Sequence, residues 1–241
     1  MKIGIMQPYI FPYIGYFQLI NAVDKFVIYD DVNFINKGWI NRNRMLNNGK
    51  DSLFSIPLKE ASQNKLINEI NVNWDGIWKS KFLKTLEQCY KKAPFYQVAI
   101  SLIEQTLNVD DEPISKVIEY NLRLTCEYLG ITSEIVSSSA IYQNTHLKAQ
   151  ERILDICLQE KATQYINPIG GLELYDKWVF EAQNINLNFI KSKPVEYTQF
   201  KNEFVPWLSI VDVLMFNSKE TIKEFLNNYE LVAPQPPKGE L

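Results

Sequence analysis

The chain has 241 residues, 46% hydrophobic, 22% charged and 13% aromatic, with 25 Lys plus Arg against 28 Asp plus Glu and a formal charge of −3. The apolar share excludes a disordered tail, and the length supports a sizeable core. The slight acidity argues against whole-surface attraction to nucleic acid or an anionic membrane, though not against a local basic pocket.

Residues 3–6 are an apolar run that reads as a buried strand, ended by Gln7-Pro8, where proline cannot donate to a ladder. A loop rich in rings follows (Tyr9, Phe11, Tyr13), then a helix over residues 15–23 with Phe17, Leu19, Ile20 and Val23 near one face. Residues 26–29 form a second apolar strand. Strand, loop, helix and strand within about thirty residues match one βαβ unit, and two nearly continuous apolar strands suit a parallel sheet covered on both faces.

Asp30-Asp31 ends the second strand, and a polar, basic stretch runs from Asn36 to Arg44. Further strands are expected at residues 53–58 and 65–72, the latter strand or simply extended. Asp75 is a natural N-cap for a helix to about residue 91, with two more helices at 94–108 and 112–129 and Gly130 at the stop position. Strands at 134–136, 164–166 and 186–190 then alternate with helices at 147–161 and 172–183, and a last helix covers 218–229. The pattern predicts an α/β, Rossmann-like fold: a mostly parallel sheet with a helical insertion at about residues 75–130, in one domain over 1–232. Residues 233–241 are Pro-rich and non-periodic and read as a flexible tail, with a vector-derived origin as one explanation.

Cys89, Cys126 and Cys157 have no metal-ligand spacing, so reduced thiols in a cytoplasmic protein are expected. Residues 1–6 are too short a run for a signal sequence, and no apolar run reaches the length of a membrane span. His146 is the single histidine, which excludes a His-based metal cluster within the chain; neither a Walker A loop nor GxGxxG is present.

Four features carry candidate chemistry. The loop from Gln7 to Tyr16 follows the first strand, where α/β sheets bind ligands. Tyr9, Tyr13 and Tyr16 are suited to stacking or phosphate hydrogen bonds and Gly15 to close backbone approach; an aromatic packing cluster is the structural alternative. Lys37, Arg42, Arg44, Lys50 and Lys59 stand against the single acid Asp51, with Trp39, Asn41 and Asn43 among them, as either an anion site or a solvated hairpin. Asp30 and Asp31 suit a ribose, a metal, a proton or simple turn chemistry. Gly170-Gly171, near Tyr175 and Asp176, suits an anion nest or a tight turn.

The strings MQPYIFPYIGYFQLI (6–20), YDDV (29–32), KGWINRN (37–43), ERILDIC (151–157) and SIVDVLMFN (209–217), with Gly170-Gly171 and LYD (174–176), resemble the WbqC-like family over most of the chain. The resemblance implies a role in bacterial surface polysaccharide (O-antigen) biosynthesis: a transferase forming an amide on a nucleotide-linked amino sugar, with glycine, an acyl carrier or a charged tRNA supplying the acyl group. A non-catalytic nucleotide-sugar-binding or assembly protein of the same pathway is the alternative. Tyr13-Ile14-Gly15-Tyr16 is also similar to the HIGH-type signature of the nucleotidylyltransferase and pantothenate synthetase superfamily, with tyrosines at both histidine positions. That similarity makes ATP a candidate cofactor. For the transferase, Asp30 or His146 is the candidate base; Arg42, Asn41 and Asn43 are the oxyanion donors; Lys37, Lys59 and the Gly15 loop are the diphosphate site. DNA is not expected as a partner.

Overall fold

The computed structural model describes residues 1–234. All but the first two residues of the expected tail (233–241) lie outside the described residues.

The chain runs β1 (Lys2–Met6), α1 (Ile14–Ala22), β2 (Lys25–Ile28), the hairpin β3 (Arg42–Asn47) and β4 (Lys50–Ser55), then α2 (Gly76–Tyr90), α3 (Tyr96–Leu107) and α4 (Ile114–Leu129). It continues through β5 (Glu134–Val136), α5 (Ala149–Gln159), β6 (Gln164–Pro168), α6 (Lys177–Glu181), β7 (Asn186–Ser192), α7 (Ile210–Phe216), α8 (Lys219–Leu226) and β8 (Tyr229–Val232). Six strands form one sheet in the order β5-β2-β1-β6-β7-β8. All neighbours are parallel except β7 and β8, which are antiparallel. The expected α/β, Rossmann-like architecture is therefore present, with helices on both faces.

Strand alternation sorts the core. Phe26, Ile28, Ile166 and Ile190 pack with α1, α7, α8 and the inserted helices α2–α4. Ile3, Ile5, Val27, Tyr165 and Phe189 face the other way, onto α5 and α6. Side chains that change face at every residue, in strands apolar on both faces, explain why the strands read as unbroken apolar runs.

Local signals placed several boundaries. The Asp75 side chain accepts from the Trp78 N–H at 2.7 Å and starts α2. Gly130 ends α4 in the left-handed region at φ 75°. Asn48 and Gly49, at φ 52° and 75°, close the hairpin. Three expectations differ. Residues 65–72 contain a 3-10 turn at Ile67–Glu69 held by isolated bridges, because no neighbouring strand completes a ladder there. The helix expected at 172–183 is split into a 3-10 segment, Ile169–Leu174, and the short α6, which Asp176 caps. The last helix, expected to reach residue 229, ends at Leu226, and Tyr229 instead opens the edge strand β8. No helix of the described residues is long and apolar enough to cross a membrane.

Candidate functional site

The strand order reverses at β1. The chain moves from β1 to β2 and β5 on one side, while β6 and β7 lie on the other. The crossovers leave the carboxyl ends of β1 and β6 in opposite directions, and this divergence opens a crevice. The ring-rich loop of residues 7–13 stands directly over it.

The loop is held from beneath at Gln7, Ile10, Phe11 and Pro12. The Tyr16 hydroxyl donates to the Gln7 carbonyl at 3.0 Å. The Asn43 amide donates to the carbonyls of Ile10 and Phe11 at 3.1 and 2.9 Å, and the Ser209 hydroxyl donates to Phe11 O at 2.6 Å. Ile10 N–H meets Ile40 O at 3.0 Å, and Ile210 N–H meets Pro12 O at 2.8 Å. These bonds hold Phe11 in the left-handed region, at φ 43°, a conformation costly for a residue with a Cβ. The side chains of Gln7, Tyr9 and Tyr13 are left to line cavities.

Three cavities follow one another along this edge. The first, about 310 Å³, lies between the ends of β1 and β6 and is lined by Gln7, Tyr9, Tyr29, Gln150, Asn167 and Tyr175 together with apolar groups. No lining side chain is charged, so it offers hydroxyls and amides in a largely apolar setting. Burial pushes the hydroxyls of Tyr9, Tyr29 and Tyr175 above the ordinary phenol range, which keeps them neutral donors. Behind Tyr29 sits the Arg152 guanidinium, 4.9 Å from the ring centre. The second cavity, about 270 Å³, shares Tyr9 and adds Tyr13, Trp39, Asn43, Arg44 and Trp207. Here the guanidinium carbons of Arg42 and Arg44 lie 5.7 and 5.3 Å from the Trp39 ring centre. The third, about 580 Å³, shares Tyr13 and Trp207 and lies under residues 193–208.

Several candidate residues do other work. Asp30 is buried; its carboxylate accepts from Ser138 Oγ at 2.6 Å, and burial pushes it above the ordinary carboxylate range. It lines none of the three cavities. Asp31 is buried in an ion pair with Arg152 and also accepts from Ser139 Oγ. His146 is exposed in the turn before α5 and lines none of the three cavities. Tyr16 is 1% exposed and belongs to the core rather than to a ligand surface, because its hydroxyl is used on Gln7. Gly15 admits no side chain: a Cβ there would strike the Tyr13 ring and Ser192 Oγ, so it sets where Tyr13 stands.

Both amide hydrogens of Asn43 are spent on the carbonyls of Ile10 and Phe11, which leaves none for an oxyanion, while Asn41 spends one on Ile56 O at 2.8 Å. Arg42 Nε donates to Gly38 O at 2.7 Å. Lys37 is exposed in a left-handed turn at φ 58°, and Lys59 pairs with Asp111. Gly170 and Gly171 have no positive φ, so the alternating conformation of an anion nest is absent. A Cβ on Gly171 would strike the Asn167 amide, so this glycine makes room for a crevice residue.

The geometry thus gathers Gln7, Tyr9, Tyr13, Trp39 and Asn43 from the expected set, Asn43 with its amide hydrogens spent on the loop. It adds Tyr29, Arg44, Gln150, Asn167, Tyr175 and Trp207, which were not among the chosen ligands. Arg44 had a visible signal in the basic stretch, and Asn167 and Tyr175 stood beside the Gly-Gly turn. Trp207 had none, because it lies in a non-periodic segment and meets the site only through the tertiary fold.

A family model described as "WbqC-like protein family" matches residues 7–224, nearly the whole chain, so the chain belongs to that family. It is similar to the "Uncharacterized protein Rv1507c" of Mycobacterium tuberculosis (strain ATCC 25618 / H37Rv), at 29% identity over 229 residues, covering 93% of this chain and 97% of that protein. No solved structure matches.

Proposed function

We propose that this WbqC-like protein binds a nucleotide-linked amino sugar along the crevice and acts there as an amide-forming transferase in surface polysaccharide biosynthesis. The observation that carries the binding half is that the two smaller cavities are neighbours, with Tyr9 lining both. One is neutral and rich in amides and hydroxyls, suited to a base edge or a sugar. The other pairs exposed Trp39 and Trp207 with Arg44, suited to a ring beside a phosphate. A nucleotide sugar has these parts in this sequence. The transferase half rests on the family resemblance.

The geometry constrains the chemistry. No Cys, His, Asp or Glu lines either cavity. The chain offers no thiol, imidazole or carboxylate nucleophile there, which favours an acyl group that arrives already activated, as a thioester or an ester. The sugar amine attacks the acyl carbon, the bond to sulfur or oxygen breaks, and the leaving thiolate or alkoxide takes the amine proton. The protein's part is orientation and exclusion of water. That same lack of acid–base groups also favours a second reading, a binding protein that presents the nucleotide sugar to another enzyme.

Calorimetry with dTDP- and UDP-linked amino sugars tests the binding half. Arg44→Ala and Trp39→Ala are expected to weaken binding by about tenfold each, the scale of a phosphate contact and a stacked ring. Full affinity in both variants would show that the crevice is the wrong place. Mass spectrometry after incubation with acyl carrier, charged tRNA, or glycine plus ATP then separates the two readings. A gain of one acyl unit supports transfer, and none with any donor supports presentation.

A further inference from the structure

We propose that the 580 Å³ cavity under residues 193–208 is a second ligand site, built for an organic ammonium carried on an apolar frame. Its volume is that of a small-molecule site. Two perpendicular ring pairs form its walls: Tyr13 with Trp207, 6.2 Å between centres at 69°, and Tyr197 with Phe204, 5.0 Å at 74°. Ile14, Leu208 and Val213 complete an apolar lining. Ring faces set at right angles present negative quadrupoles from several sides, which is how aromatic boxes hold cations.

The charged groups at the cavity add a sign. Glu196, Glu203 and Lys193 line it, and none makes an ion pair among the described residues. Two carboxylates against one ammonium leave the lining net negative. An anionic ligand meets repulsion there, a neutral ligand gains only ring contact, and a cation gains both ring and carboxylate.

The walls are preformed. Tyr197 donates to buried Asp212 at 2.7 Å, and Asp212 also accepts from Gln199 at 2.7 Å and Tyr90 at 2.8 Å. The Gln199 amide in turn clasps Val205 through both its groups, at 2.7 and 3.1 Å. A buried carboxylate thus pins the segment from Tyr197 to Val205 beside Phe204, which reduces the ordering left for the ligand to supply.

The site abuts the Arg44 cavity across the Tyr13–Trp207 pair, but the inference does not depend on nucleotide binding. Calorimetry of the full chain with cyclohexylammonium, cyclohexanol and cyclohexanecarboxylate at constant ionic strength tests it. The ammonium is expected to bind about tenfold more tightly than the alcohol, and the carboxylate more weakly than either. In the Glu196→Gln, Glu203→Gln double variant the preference for ammonium over alcohol should fall several-fold, with alcohol binding unchanged. Both residues are exposed, so the variant keeps its fold. Equal binding of ammonium and alcohol, tighter binding of the carboxylate, a preference that survives the double variant, or no binding of any probe would each overturn the proposal. The probes carry no phosphate, so such a failure leaves the nucleotide-sugar reading intact. Failure of nucleotide sugars to bind leaves this one intact.

Discussion

Arg152→Met strands a buried charge. Arg152 and Asp31 have side chains 5% and 4% exposed. The guanidinium pairs with the Asp31 carboxylate, donates to Asn144 Oδ1 at 2.8 Å and stacks on Tyr29. Methionine fills much of the volume, so the cavity cost is small and the uncompensated Asp31 dominates. Removing one partner of a buried pair costs ~3–5 kcal/mol, which in a chain of this size lowers Tm by roughly 6–20 °C. Adding Asp31→Asn removes the stranded charge and should return most of the loss. The four proteins of this double-mutant cycle are compared by urea unfolding at neutral pH, with m-values checked for constancy. A loss below about 1 kcal/mol, or a double variant no more stable than the single, would refute the reasoning that the pair is held by mutual compensation.

Three further outcomes are expected. Asn43→Ala removes the donor to Ile10 O and Phe11 O and frees left-handed Phe11, at a cost of ~2–3 kcal/mol in urea unfolding; an unchanged midpoint contradicts the role given to Asn43. Gly15→Ala should destabilise, although alanine favours helices by ~1 kcal/mol, because the new Cβ strikes the Tyr13 ring; a raised Tm would show that Tyr13 yields freely.

Burial holds the Asp212 carboxyl above the ordinary range, against hydrogen bonds from Tyr197, Gln199 and Tyr90. A raised folded value means that folding favours the protonated form. This group's contribution is therefore complete below the unfolded value of about 3.9 and is lost as pH rises through the folded one. Asp212→Asn removes that dependence, so the variant's stability relative to wild type should climb from acid to neutral pH. A flat or falling difference in thermal unfolding across that window would contradict it.

The sequence by itself determined the local elements and their order. Apolar runs of four or five residues, separated by a helix and a ring-rich loop, specified β1, α1 and β2, since strand burial on both faces demands unbroken apolar residues. Asp75 and Gly130 marked helix ends because capping needs only nearby backbone. Belonging to the family was equally legible, in the string at residues 6–20. β8 and the broken helix after Gly171 were not legible, because each depends on a neighbour distant in the chain.

For the candidate site, the chain placed ring-bearing residues at the carboxyl end of β1, and Gln7, Tyr9 and Tyr13 do line cavities there. Only the tertiary structure decided which polar groups were already taken. Asn43 faces two loop carbonyls, Asp31 an arginine 121 positions away, and Tyr16 the carbonyl of Gln7. It also decided that Trp207 closes against Tyr13. A residue's type fixes what it is able to bond. Whether that capacity is spent inside the protein or left for a ligand depends on which partner the fold brings within about 3 Å, and no local pattern encodes that.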